Sequence, residues 1–250
     1  VDMITTADNL ARRHGLSREE VDRFALGSHQ RALQAQADGW FEPELVALGN
    51  ECFELAGYQS RSIQLPRGVD RVTRDSHLRP TDLDALGRLR AVHAGGVQTA
   101  GNSCAVVDGA AAALVGRASA ARRPVLAHLL ASAVVGVAPE FMGIGPVPAI
   151  QLLVQRSGLA LGDIGLLEIN EAQAAQVLAV AQALELDGDR LNRRGGSIAL
   201  GHPLAATGLR LVLTLARQLR ESNLRYGIAA ACVGGGQGMA LLIENPAYQG

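Results

Sequence analysis

The 250-residue sequence contains no lysine: all 23 of its Lys+Arg residues are arginine. A Schiff-base lysine and a phosphate-loop lysine are therefore excluded from its chemistry. Cysteine is scarce and scattered, at Cys52, Cys104 and Cys232, an odd number with no CxxC pair. A disulfide framework or zinc ribbon is not expected, no metal ligands are assigned, and a reducing cytoplasm is the natural setting. Long apolar runs are missing too. Residues 125–137 come nearest, but His128 and Ser132 interrupt them and they are too short to span a bilayer. No basic stretch followed by an apolar one opens the chain. Charge of one sign is lacking: the formal net charge is −1. Neither nucleic acid nor an anionic membrane exerts a global attraction on such a chain.

What the sequence does have is apolar material. It is 48% hydrophobic, enough for one large domain or two modest ones. Ser17, with Glu20 three residues on, makes a capping box that predicts a helix to about Ala37, with Phe24, Ala25, His29, Ala32 and Leu33 on one face. Residues 39–93 are mixed, arginine-rich and broken by Pro66 and Pro80, which predicts a loop-rich insertion ending in a short helix at 82–89. Residues 108–115 and 125–137 are small and apolar and predict strands, at least in part. A helix at 148–157 closed by Gly158, a strand at 164–169, and helices at 171–184 and 204–219 follow. Residues 226–231 and 239–243 predict a hairpin. Strands alternating with helices imply a layered α/β fold with a mixed sheet.

Chemistry concentrates in three places. Asn170 ends an apolar run where a helix begins; on its own it reads as an N-cap, although its amide could also hold a water at the helix mouth. His202 precedes Pro203, which suits a first helical turn, so the helix field would keep the imidazole neutral with one N–H to donate to an oxyanion. Taken alone, a histidine there reads first as a structural residue capping a loop. Ser197 forms only a near miss to a nucleophile elbow, because Ala199 replaces the last glycine, and it is discounted. Cys232 precedes Gly234, Gly235 and Gly236, whose missing Cβ atoms let backbone N–H groups approach a ligand. The run after them is strand-like, which rules out a dinucleotide loop. Cys232 is either an acid/base thiol or a small buried hydrophobe. His14, His29, His77, His93 and His128 read as surface or loop residues.

In their order along the chain these segments resemble the thiolase family. Asn170, Glu171 and Ala172 resemble its NEAF motif; Gly201, His202 and Pro203 its GHP motif; Cys232 to Gly236 its CxGGG motif. The resemblance implies a layered core of two similar halves plus a loop domain that cradles coenzyme A. It places residues 1–106 as the end of the N-terminal half with the loop domain. Residues 107–250 are then the C-terminal core half, with a mixed five-stranded sheet and helices on both faces. It further implies acyl transfer or Claisen condensation on thioesters, or the reverse. His202 and an Asn170-held water would stabilise the thioester oxyanion, Cys232 would act as acid/base, and the Gly234 N–H would help form a second oxyanion hole. Arg90 would lie near the nucleotide, and Ser103 and Cys104 along the pantetheine. The substrate is a coenzyme A or phosphopantetheine thioester, with no covalently bound cofactor.

Several residues depart from the family pattern: Gln173 in place of an aromatic, Ala205 in place of glycine, Ser103, Cys104 and Ala105 after Asn102, Asp2 to Ile4 near the start, and Arg194 before Gly195. Most bear on the implied acyl or pantetheine path, so a specialised acyl group or a carrier-protein thioester is expected. None of the three cysteines matches the family's nucleophile. The text opens at Val1 as though the first half were missing, so the expectation is activity only alongside a partner chain carrying that half and its cysteine, within a homo- or hetero-oligomer. The competing readings are a non-catalytic thiolase-like docking subunit and a ketoacyl synthase-like enzyme, the latter disfavoured by Cys232.

Overall fold

The computed structural model describes residues 2–249. Helix α1 (Met3–His14) leads through a left-handed Gly15 to α2 (Arg18–Ala37), where Ser17 and Glu20 complete the expected capping box. The insertion that follows carries only short ribbons and one short helix. β1 (Leu48–Gly49) pairs with β4 (Arg71–Val72) and β2 (Glu51–Phe53) with β3 (Arg61–Ile63), both antiparallel, and Asp82 caps α3 (Leu83–Gly87).

The main sheet runs β5-β8-β7-β6. β5 (His128–Gly136), β8 (Gln237–Glu244) and β7 (Tyr226–Val233) are successively antiparallel, and β6 (Ile164–Ile169) is parallel to β7. The chain between β6 and β7 holds α5 (Ala174–Ala183), α6 (Ser197–Leu200) and α7 (Thr207–Glu221), the long crossover a parallel pair needs. β6 is covered on both faces, which is why its sequence is nearly continuously apolar rather than alternating. On one face, α4 (Pro146–Ser157) and α5 pack Ile150, Leu153, Val177 and Val180 against Leu167, Ile169, Ile228 and Leu242. On the other, Leu211, Leu215 and Leu219 of α7 pack against Leu166, Ala229 and Ile243. Beyond α5, Leu10 of α1 and Val21 and Ala25 of α2 form an outer layer with Ala175, Ala179 and Ile198.

The mixed α/β layering is as expected, but the sheet has four strands where five were anticipated. Residues 108–115 join no strand, and Leu114 lies fully exposed. An apolar composition supplies a strand's side chains but not its partner edge. Two helix starts also differ. Gln173, not Asn170, is the N-cap residue of α5, and α7 begins at Thr207 after a turn, so Pro203 stands outside it. Leu204 is exposed accordingly, while Leu211, Leu215 and Leu219 form the buried stripe. His29 is buried rather than a surface residue.

Candidate active site

β6 and β7 run parallel, so their carboxyl ends open on the same edge, where side chains leave the ladder free to meet a ligand. Asn170 is the first residue beyond β6, and its N–H still donates to the Ala230 carbonyl of β7 at 2.9 Å. Its backbone is thus held by the sheet while its side chain, released from capping duty, is available. Cys232 lies two residues past Ala230 along β7. The turn to β8 then runs through Gly234, Gly235 and Gly236. Gly236 has φ 93°, and a Cβ there would stand 2.5 Å from the Val137 carbonyl oxygen, so only glycine fits.

His202 reaches this edge from the α6–α7 connection. Its backbone N–H donates to the Ala105 carbonyl at 2.8 Å, pinning it to the segment after Asn102. Its Nε2 lies 3.4 Å from Asn170 Nδ2, and its Nδ1 lies 2.7 Å from Thr207 Oγ1. The Thr207 hydroxyl donates to the Pro203 carbonyl at 3.0 Å, so its oxygen accepts from His202 Nδ1–H. Neutral His202 therefore carries its proton on Nδ1 and turns the Nε2 lone pair toward Asn170. Burial first, and the charge of Arg210 second, hold this imidazole below its usual pKa. Desolvation thus works toward the neutral state that the sequence suggested.

The thiols are held protonated. Burial pushes Cys232 up to about 12, with Cys104 adding to the effect. Burial raises Cys104 to about 11, reinforced by Glu171. Cys104 donates its backbone N–H to the Ala172 carbonyl at 3.1 Å, and Ser103 forms an antiparallel bridge with Gln173. The Ser103 hydroxyl and Gln173 Oε1 are buried with no hydrogen-bond partner. Of the residues anticipated from sequence, Asn170 and His202 are thus in contact, Ser103 and Cys104 bond to the segment that follows Asn170, and Cys232 is the penultimate residue of the neighbouring strand. Gly234 is exposed in the turn, and Arg90 is exposed beyond α3.

Other residues at the site were given no site role by the sequence. Glu171 accepts from Ser28 Oγ at 2.6 Å, Asn192 Nδ2 at 2.9 Å and the Ile198 N–H at 3.3 Å. A Cβ on Gly196 would sit 2.2 Å from its carboxyl carbon, so this carboxylate and that glycine together seat the loop before His202. Ser197, discounted above as a nucleophile, donates to Asn170 Oδ1 at 2.7 Å.

The layered fold is shared with solved thiolases. A human mitochondrial 3-ketoacyl-CoA thiolase in complex with CoA superposes with a TM-score of 0.82 at 38% identity, covering 98% of this chain and 59% of that one. A Bacillus anthracis acetyl-CoA acetyltransferase gives a TM-score of 0.85 at 37% identity, covering 98% and 60%. In sequence, the chain is 42% identical to a peroxisomal 3-ketoacyl-CoA thiolase of Homo sapiens over 98% of its length and 58% of the relative's. It is 45% identical to a beta-ketoadipyl-CoA thiolase of Pseudomonas putida, over 97% and 59%. The thiolase C-terminal domain model matches residues 123–245 and the thiolase N-terminal domain model residues 1–119. The chain belongs to the thiolase family.

The match to the N-terminal domain corrects the expectation that this half is missing from the chain. The inference of a partner chain supplying it, and of activity only in that partner's company, falls with it. The chain spans about three fifths of the length of these relatives. Among the described residues no helix is long and apolar enough to cross a membrane. Relatives named as peroxisomal and mitochondrial occupy compartments other than the cytoplasm that cysteine usage suggested.

Proposed function

We propose that this chain carries out thiolase-type acyl transfer on coenzyme A thioesters, cleaving a 3-ketoacyl chain or forming it by Claisen condensation. One observation carries the reading: the Asn170 amide and the His202 imidazole stand 3.4 Å apart at the strand edge where Cys232 also lies. In the neutral tautomer, His202 Nε2 can take a proton from the thiol of an incoming coenzyme A. Once protonated, it can donate to the thioester oxygen as charge develops there, with a water on Asn170 as second donor. The Cys232 thiol, kept protonated by burial, suits delivery of a proton to the carbanion or the departing thiolate. The Gly234 N–H would serve the second oxyanion. Residues 1–106, with Arg90, Ser103 and Cys104, would hold the nucleotide and pantetheine.

The test separates binding from chemistry. His202→Ala should lower thioester turnover by two orders of magnitude or more, since one oxyanion donor is typically worth about 2.7–4 kcal/mol, and coenzyme A affinity should be kept. Unchanged turnover would leave a docking role instead.

The acyl group is proposed to bear a neutral hydrogen-bonding substituent. The support is the buried Gln173 Oε1 near Asn170, which has no hydrogen-bond partner. Leaving such an atom unpaired costs about 1–3 kcal/mol, so a substrate hydroxyl or amide would find a partner there. Gln173→Phe should shift preference toward plain acyl chains by roughly tenfold or more in kcat/KM. Equal ratios in both proteins across a panel of plain and hydroxylated acyl-CoA thioesters would refute it.

A further inference from the structure

A second set of polar groups lies behind Asn170, away from His202. Ser197 is fully buried at the start of α6, and its hydroxyl donates to Asn170 Oδ1 at 2.7 Å. Arg210 of α7 donates Nη2–H to the same Ser197 oxygen at 3.2 Å. The other arm of that guanidinium, Nη1, lies 3.6 Å from Glu168 Oε2 on β6. Glu168 is itself buried and accepts from Gln218 Nε2 at 2.8 Å.

The bonds of this chain share one direction. Arginine has no acceptor to offer, so Ser197 Oγ must accept from Arg210. The Ser197 hydroxyl, its oxygen accepting from Arg210, points its proton at Asn170 Oδ1. With its oxygen engaged, Asn170 can present only its NH₂ to His202, whose Nε2 must be the unprotonated nitrogen. At the far end the Pro203 carbonyl can only accept, which sends the Thr207 proton there and leaves Thr207 to accept from His202 Nδ1–H. A permanent donor at one end and a permanent acceptor at the other give the whole relay one polarity.

We propose that Ser197, held by Arg210, is a positioning residue that fixes the Asn170 amide and, through it, the Nδ1–H tautomer of His202. Without the Ser197 hydroxyl nothing holds Oδ1 away from the imidazole. The amide can then turn over and offer Oδ1 to a protonated Nε2, which favours imidazolium over the neutral base. Behind Ser197, Arg210 bonds to α6 through Nη2 and stands 3.6 Å from Glu168 of β6 through Nη1. This inference rests on the reading that His202 acts as the base at this edge, yet its test needs no turnover. The ionisable group bearing on His202 is Arg210 on α7.

The experiment is ¹⁵N NMR of the imidazole-labelled full chain, with the His202 signals assigned by their loss in His202→Gln. The unsubstituted chain should show a single Nδ1–H tautomer near neutral pH. Ser197→Ala should show a mixture of tautomers and a titration midpoint raised by about half a pH unit or more, the scale of one lost hydrogen bond to the neutral form. Ser197→Cys, close in volume and a weak donor, should fall between the two and guards against a packing effect. Arg210→Lys, which keeps the charge but loses the fork, should loosen the tautomer in the same direction. An unchanged tautomer and midpoint in Ser197→Ala would overturn the proposal, whatever His202→Ala does to turnover.

Discussion

Cys232 and Cys104 illustrate how a site can keep a thiol in reserve. Both are free, and burial drives both well above the ordinary thiol range, to about 12 and about 11. Only the thiolate is a strong nucleophile, so neither should attack a small electrophile quickly near neutral pH. Cys52 sits exposed on β2. Limited alkylation with iodoacetamide at pH ~7.5, read by peptide mass spectrometry, should therefore label Cys52 first and leave the other two largely unmodified in the folded chain. Rapid labelling of Cys232 would contradict its assignment as a protonated acid. A thiol that resists ionisation is poorly suited to open an acyl transfer and well suited to donate a proton once a stronger base appears beside it.

The elements that carry these residues depend on a few local contacts. The Ser17 hydroxyl accepts the Glu20 N–H at 3.3 Å, and the Glu20 carboxylate accepts the Ser17 N–H at 2.7 Å, closing the first turn of α2. From that helix, Ser28 reaches Glu171, and Arg31 donates to the Asn192 carbonyl at 3.0 Å. The cap thus supports the scaffold behind the loop that carries Ser197 and His202. Ser17→Ala should cost about 1 kcal/mol in denaturant unfolding, read as a lower midpoint with an unchanged slope. Turnover should be unaffected, because the contacts of α2 with Glu171 and Asn192 lie more than two turns further on.

For the whole molecule, one group that makes folding depend on pH is Glu168. Burial raises its pKa from 4.5 to about 7, Arg210 and Gln218 offset part of the effect, and Glu171 and Glu44 add to it. Between those two values the folded chain binds a proton that the unfolded chain has released. This group's contribution to stability is therefore full below about pH 4.5 and is lost as pH rises through about 7. Glu168→Gln removes that titration. Thermal melts at pH ~5 and pH ~8 should show the variant gaining stability relative to the parent at the higher pH. A constant difference between them would mean that Glu168 is ionised throughout, as a fully compensated partner of Arg210.

The α2 cap, the Gly158 stop after α4, the β6 strand and the β7–β8 hairpin were all readable from residue types, because each is decided within a few neighbours along the chain. The motif residues Asn170, His202 and Cys232 stood out for the same reason. Three things were not readable: that residues 108–115 would lie unpaired, that Asn170 would be freed from capping by Gln173, and that His29 would be buried. A strand needs an edge and burial needs a covering surface, and both come from segments remote in sequence. Local chemistry therefore determined which groups this protein owns. Only the tertiary structure decided how they act, because the direction of the hydrogen bonds from Arg210 through Ser197 and Asn170 to His202 depends on four separate elements meeting within hydrogen-bond distance.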